Sequence, residues 1–151
     1  RFSLEQRFDV ISCFFDSLNY LLTLRDLTRT LRCARRHLRD HGILTFDVLA
    51  PAAFADTRTY VVHASEYTTL MESVVDDRKS LRTTTITGFV RDHDDLYRRF
   101  VEEHVQRAYT ARQVEKVLVS LKLTFLKYDG ERFAKPHGGL KRMLYFCRCK
   151  A

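Results

Sequence analysis

Four polar residues, Asp16, Ser17, Asn19 and Tyr20, follow directly on the apolar run FDVISCFF at residues 8–15. That run is too short for a typical helix and rich in residues suited to a strand buried on both faces, so it predicts a central parallel strand. The polar stretch then falls just past the carboxyl end of the strand, where open α/β sheets bind their ligands. A second carboxylate, Asp47, stands near the end of another apolar run, ILTFDVL at residues 43–49. It could accept a proton or bind an amine, or it could only hydrogen-bond a neighbouring loop. His104 is the candidate general base, because an unperturbed imidazole titrates near neutrality. Strand alternation puts Arg98, Phe100, Glu102 and His104 on one face, with Tyr97, Arg99, Val101, Glu103 and Arg107 on the other. One of these faces could cover an acceptor, with Arg99 as a substrate-binding candidate, although cross-strand ion pairs account for the same residues without a ligand.

The elements that must position these groups are readable from periodicity. Thr23 followed by Asp26 predicts a helix N-cap with an acidic first turn. Leu24, Leu27, Leu31, Ala34 and Leu38 form an apolar stripe opposite Arg25, Arg29, Arg32, Arg36 and Arg39, which predicts an amphipathic helix lying on a sheet. Gly42 is expected to end that helix as a left-handed cap, and the strand at 43–49 starts at once. Strand, helix and strand in this order make a right-handed parallel crossover. After Pro51 the pattern changes to antiparallel strand signals at 60–70, 83–91 and 96–109, with polar turns at 76–78 and 92–95. Thr110 then caps a helix carrying Val114, Val117, Leu118 and Leu121. Two closing strands, 123–128 and 142–149, flank a loop with Pro136, Gly138 and Gly139.

Composition sets the class. A chain of 151 residues that is 45% hydrophobic can bury a core of one domain. The net charge of +7 comes largely from arginines scattered through every segment, which reads as a solvated surface and disfavours a nucleic-acid role. Cys13, Cys33, Cys147 and Cys149 form no pair of zinc-ligand spacing and read as reduced thiols of a cytoplasmic protein. His37 and His41 have a helical metal spacing, but a place at a helix end explains them equally, so no metal is expected. No apolar run approaches a membrane span. Arg1 leads almost directly into a strand-like run, from which further residues upstream are expected.

Taken together, FDVISCFFDSLNYL, the amphipathic helix and HLRDHGILTFDVLAP resemble the fourth strand, its loop, the next helix and the fifth strand of small-molecule class I (Rossmann-like) S-adenosylmethionine-dependent methyltransferases. DLYRRFVEEHVQRAYT, the following helix and strand, and RMLYFCRCK resemble the antiparallel insertion and last two strands of the same subgroup. The resemblance implies an α/β fold: the C-terminal portion of a seven-stranded sheet of order 3-2-1-4-5-7-6. Residues 1–51 and 110–151 would be core and 52–109 an antiparallel insertion. The family's glycine-rich loop has no counterpart here, since none of the 5 glycines stands in a GxG arrangement. The family's ribose-binding carboxylate likewise has none. The resemblance further implies S-adenosylmethionine as donor and a small-molecule acceptor. It makes Phe14, Phe15, Asp16 and Ser17 candidates for cofactor contact, Asn19 and Tyr20 candidates near the acceptor, and Tyr20, Asp47 and His104 the catalytic candidates. Alone, the chain is expected to bind the donor poorly. Expected partners are the missing N-terminal half or a second copy joined through the edge of the 8–15 strand. An assembly module reusing the half-sheet is the alternative function.

Overall fold

The computed structural model describes residues 3–93, 96–132 and 140–149. Two four-stranded sheets account for its strands. The core sheet has the order β1-β2-β8-β7, from β1 (Phe8–Cys13), β2 (Leu38–Leu49), β7 (Leu123–Asp129) and β8 (Arg142–Cys149). Only β1 and β2 run parallel; β8 is antiparallel to both β2 and β7. The second sheet is a wholly antiparallel meander of β3 (Tyr60–His63), β4 (Tyr67–Asp76), β5 (Leu81–Arg91) and β6 (Tyr97–Arg107).

Helix α1 (Leu24–Arg36) carries the chain from β1 to β2, and α2 (Ala111–Ser120) precedes β7. Thr23 caps α1 by accepting from the Asp26 amide at 3.1 Å. Thr110 and Gln113 form a reciprocal capping box at the start of α2. Both helices cover one face of the core sheet: Leu27, Leu31, Val114, Val117 and Leu118 pack with Leu44, Phe46, Val48, Met143, Tyr145 and Cys147. Full burial of each such aliphatic or aromatic side chain contributes about 1.5–3 kcal/mol. The Phe46 and Tyr145 rings, opposite each other on β2 and β8, stack with centroids 5.2 Å apart.

Several expectations need correction. Gly42 is not the cap of α1, which ends at Arg36 with His37 as its C-cap. Leu38 and Arg39 belong to β2 instead, and the left-handed residue is His41, at φ 63°. Between the pairs Phe8↔Leu38 and Val10↔Ile43 the register slips, so β2 bulges there. Gly42 is needed because a Cβ would lie 2.9 Å from the Arg39 carbonyl and 3.2 Å from that of Asp9. His37 and His41 therefore do not share a helix face. The His37 ring is already engaged, with the Leu4 amide at 2.9 Å and the Cys33 carbonyl at 2.8 Å.

The first strand is shorter than expected, ending at Cys13, and it is an edge of the sheet among the described residues. Ile11 and Cys13 pack toward the helices, while Val10, on the opposite face, is 58% exposed. The expectation of burial on both faces fails because that opposite face is bare. The segment read as one strand at 60–70 is two, since Ala64, Ser65 and Glu66 break it without glycine or proline. Pro136, Gly138 and Gly139 lie outside the described residues, as do Asp94 and Asp95 of the 92–95 turn.

Candidate functional site

Past β1 the backbone turns sharply: Phe15 (φ 58°) and Asp16 (φ 50°) are both left-handed, a conformation that costs a non-glycine residue roughly 1–2 kcal/mol. Several bonds hold the turn. The Asp16 amide donates to Asp47 Oδ1 at 3.0 Å, and Ser17 Oγ donates to the Phe14 carbonyl at 2.7 Å. The Asp16 carboxylate receives Arg142 Nη2 at 2.9 Å and Gln106 Nε2 at 2.6 Å. Arg142 Nη1 also donates to Asp47 Oδ2. Gln106 in turn accepts from Arg82 Nη2 at 2.7 Å. Burial works to lower the Arg142 pKa, but hydrogen bonding to Asp16 and Asp47 outweighs it and holds the guanidinium above its ordinary value.

This knot joins the loop, the neighbouring strands β2 and β8 at one end of the core sheet, and the insertion. It also uses both oxygens of Asp16 and both of Asp47. Asp47 is buried, and its carboxylate braces the turn from below. Burial first, and then the Asp47 charge, raise the thiol pKa of neighbouring Cys13 above its ordinary value.

The left-handed pair turns Phe15 outward, 87% exposed, with Phe14 beside it at 41%. Phe14 and Phe15 share a cleft of about 510 Å³ with Asp47, Arg142, Leu144 and Phe146. Exposed aromatic faces suit a sulfonium, a cation that has no N–H or O–H to donate. The described residues thus fit one wall of an S-adenosylmethionine site. Asp16 and Asp47 do not fit its ribose, because their oxygens are already engaged.

Asn19 is fully buried, and its side chain is spent on backbone. Its Nδ2 donates to the carbonyls of Leu49 (3.1 Å) and Arg107 (2.7 Å), and its Oδ1 accepts from the Leu49 amide (2.9 Å). It staples the loop to the ends of β2 and β6. Tyr20, one residue on, is 47% exposed, and its hydroxyl lies 2.9 Å from His104 Nδ1. The two rings meet edge to face at 5.9 Å. His104 Nε2 lies 3.2 Å from Glu102 Oε2. The fold therefore brings Tyr20 and His104 together, and Asp16 with Asp47. Arg99 is exposed on β6, and strand alternation sends it to the face opposite His104.

Neither Arg142 nor Gln106 is singled out by the sequence, and Glu102 is read there only as a member of the His104 face of β6. Arg142 carried one signal: a cation opening a strand expected beside the run that ends near Asp47.

The α/β fold, with its parallel pair at one edge and its antiparallel closing strands, is shared with S-adenosylmethionine-dependent methyltransferases of known structure. No family model matches the chain. The protein named "Putative methyltransferase YqeM" of Bacillus subtilis (strain 168) is 29% identical over 117 residues, 76% of this chain and 47% of that protein. An S-adenosylmethionine-dependent methyltransferase from Clostridium acetobutylicum superposes with a TM-score of 0.89 at 28% identity, over 100% of this chain and 62% of that one. CalS10, an amino pentose methyltransferase from Micromonospora echinaspora solved with S-adenosylmethionine bound, shares the fold, with a TM-score of 0.76 at 17% identity over 99% of this chain and 61% of that one. The chain thus spans about half to three fifths of the length of these relatives.

Proposed function

We propose that the chain is the C-terminal part of a methyltransferase domain that moves the methyl group of S-adenosylmethionine to nitrogen, oxygen or carbon of a small molecule. Residues 1–51 and 110–151 serve as its core and 52–109 as an insertion over the acceptor. The observation that carries this reading is the meeting of Tyr20, from the loop after β1, with His104, from the insertion, at 2.9 Å. The bound donor supplies an activated methyl carbon, so the protein's task is alignment and proton removal. Phe14 and Phe15 would flank the donor. The Asp16–Arg142–Asp47 knot would hold that wall rigid, and Tyr20 with His104 would take a proton from an N–H or O–H acceptor.

The relatives support this reading through shared fold and, for the Clostridium protein, sequence. The test is transfer of labelled methyl from S-adenosylmethionine to a panel of amines, amino sugars and phenols, using the longest reading frame that contains this chain. No transfer to any of them by protein shown to bind the donor would count against a small nitrogen or oxygen acceptor.

The same reading gives the bare sheet face its partner. Val10 (58% exposed), Leu126 (62%) and Phe146 (40%) lie on the face opposite the helices, and among the described residues β1 is an edge of the sheet. In a complete domain, further chain would cover both. Without it, a second copy pairing along β1 is the available substitute.

A further inference from the structure

The imidazole of His104 is held at both nitrogens, and the two partners differ in kind. Tyr20 Oη, at Nδ1, can donate or accept. The Glu102 carboxylate, at Nε2, accepts only when ionised. A neutral imidazole has one N–H, so the carboxylate decides where it sits: on Nε2, pointing at Glu102. Nδ1 is then a bare acceptor, and the Tyr20 hydroxyl must donate to it. The residues paired with His104 and Glu102 across the strand have other uses. Thr84, opposite His104 on β5, is engaged with Ser73 Oγ at 2.9 Å, and Ile86 stands opposite Glu102.

We propose that Glu102 is a positioning residue that fixes His104 as its Nε2–H tautomer and so makes Tyr20 Oη, not the imidazole, the atom that meets the acceptor. The chemical role rests on the methyltransferase reading above; the tautomer does not. With Nε2 carrying its proton toward Glu102, the nitrogen left to take a proton is Nδ1, which faces Tyr20 Oη. As the acceptor's lone pair takes the methyl group, its N–H or O–H proton passes to Tyr20 Oη. The hydroxyl's own proton moves to His104 Nδ1. The positive charge then rests on an imidazolium facing the Glu102 carboxylate, and the sulfur of the donor keeps the electron pair of the broken bond. Geometry selects for acceptors with a removable proton, that is, amines and hydroxyls.

The tautomer is measurable on this chain without donor or acceptor, by long-range ¹H–¹⁵N correlation of the ¹⁵N-labelled protein at a pH where imidazoles are neutral. The His104 signals are assigned from their loss in His104→Gln. The expected result is a protonated Nε2 and an unprotonated Nδ1. Glu102→Ala should lower the ratio of the two tautomers by roughly 1.4- to five-fold, the range an exposed pair supports. Glu102→Gln keeps an acceptor oxygen and should restore most of the ratio. A protonated Nδ1 in the unsubstituted chain, or a ratio unmoved by Glu102→Ala, overturns the proposal. Because both variants change a side chain that is 60% exposed, folding should be retained, which the remaining histidine signals report in the same spectra. Absence of methyl transfer by the longer protein would retire the methyltransferase reading and leave the tautomer result standing.

Discussion

Asp16 and Arg142 lie 126 positions apart in the chain and 2.9 Å apart in space. The guanidinium also meets Asp47, so removing it leaves one carboxylate buried and another half-buried without a cation. Arg142→Met should therefore destabilise the chain by on the order of 3 kcal/mol, most of it the cost of the stranded charges. Urea denaturation measures this. Adding Asp47→Asn should recover part of the loss, because residues sharing one network are not additive. Equal losses in the single and double variants would show that the ion pair is not the cause.

Asn19 separates a structural from a ligand-binding role. Asn19→Leu removes three hydrogen bonds and takes this partner from the Arg107 carbonyl and the buried Leu49 amide, while the Leu49 carbonyl keeps the Tyr109 amide at 3.2 Å. A stability loss of about 2–4 kcal/mol is expected, since each unsatisfied buried group costs roughly 1–3 kcal/mol and relaxation recovers some of it. Tyr20→Phe, at the half-exposed neighbouring position, should leave thermal stability nearly unchanged and lower kcat of the longer protein by ten- to a hundred-fold. A Tyr20→Phe protein that unfolds early, or transfers methyl at the original rate, would contradict the assignment.

What was legible in the sequence was local. The Thr23 cap, the apolar stripe of α1 from Leu24 to Ala34 and the strand at β6 depend on neighbours within a few residues, and each stands where its pattern placed it, whereas Leu38, read into the same stripe, belongs to β2. What was not legible depended on distant pairing. Gln106 reaches Asp16 across 90 positions and Arg142 reaches it across 126, and no local pattern in the sequence names Asp16 as the partner of either. Asn19 had the composition of a binding loop, yet it is used to staple two strand ends. Gly42 shows the opposite difficulty: a glycine after an amphipathic stripe signals a helix cap, while here it lets β2 approach the backbone of Asp9.

Gly88 is a second close approach, legible only from strand pairing. It stands opposite Phe100, whose ring would lie 2.1 Å from an added Cβ. Gly88→Ala should cost about 1–3 kcal/mol as an overpacked site. Combining it with Phe100→Leu should relieve part of that cost, read as a shift in melting temperature. A Gly88→Ala chain as stable as the original would mean that the ring has room to move aside.

Alone, the chain should bind S-adenosylmethionine more weakly than micromolar, since the described residues offer an aromatic wall but no free carboxylate for the ribose. Isothermal titration decides this. The bare face and β1 edge should also make it self-associate at high concentration, which sedimentation velocity would reveal, and Val10→Lys should reduce that association by placing a charge on the apolar face. A strictly monomeric chain would show that the open edge is not adhesive.

The alkaline limit of stability follows from buried acids, of which Cys147 and Tyr109 are two and Tyr145, its hydroxyl raised chiefly by burial, is a third. Burial pushes the Cys147 thiol up from 9.0 to about 12 and is the leading cause that raises the Tyr109 hydroxyl from 10.0 to about 12. For both, the unfolded state loses its proton first. Their contribution is therefore fully present below pH 9 and declines as the pH rises toward 12, by about 1.4 kcal/mol per pH unit for each group in its own window. Cys147 enters that window about one unit before Tyr109. Cys147→Val, close in volume and without a proton to lose, should flatten the decline from pH 9 upward, most visibly between pH 9 and 10 before the tyrosines add to it. Urea midpoints measured from pH 8 to 11 test this directly. Identical slopes for the original chain and Cys147→Val would mean that the thiol ionises in the folded state as it does in water, and that its burial against α2 and β7 is looser than the packing described here.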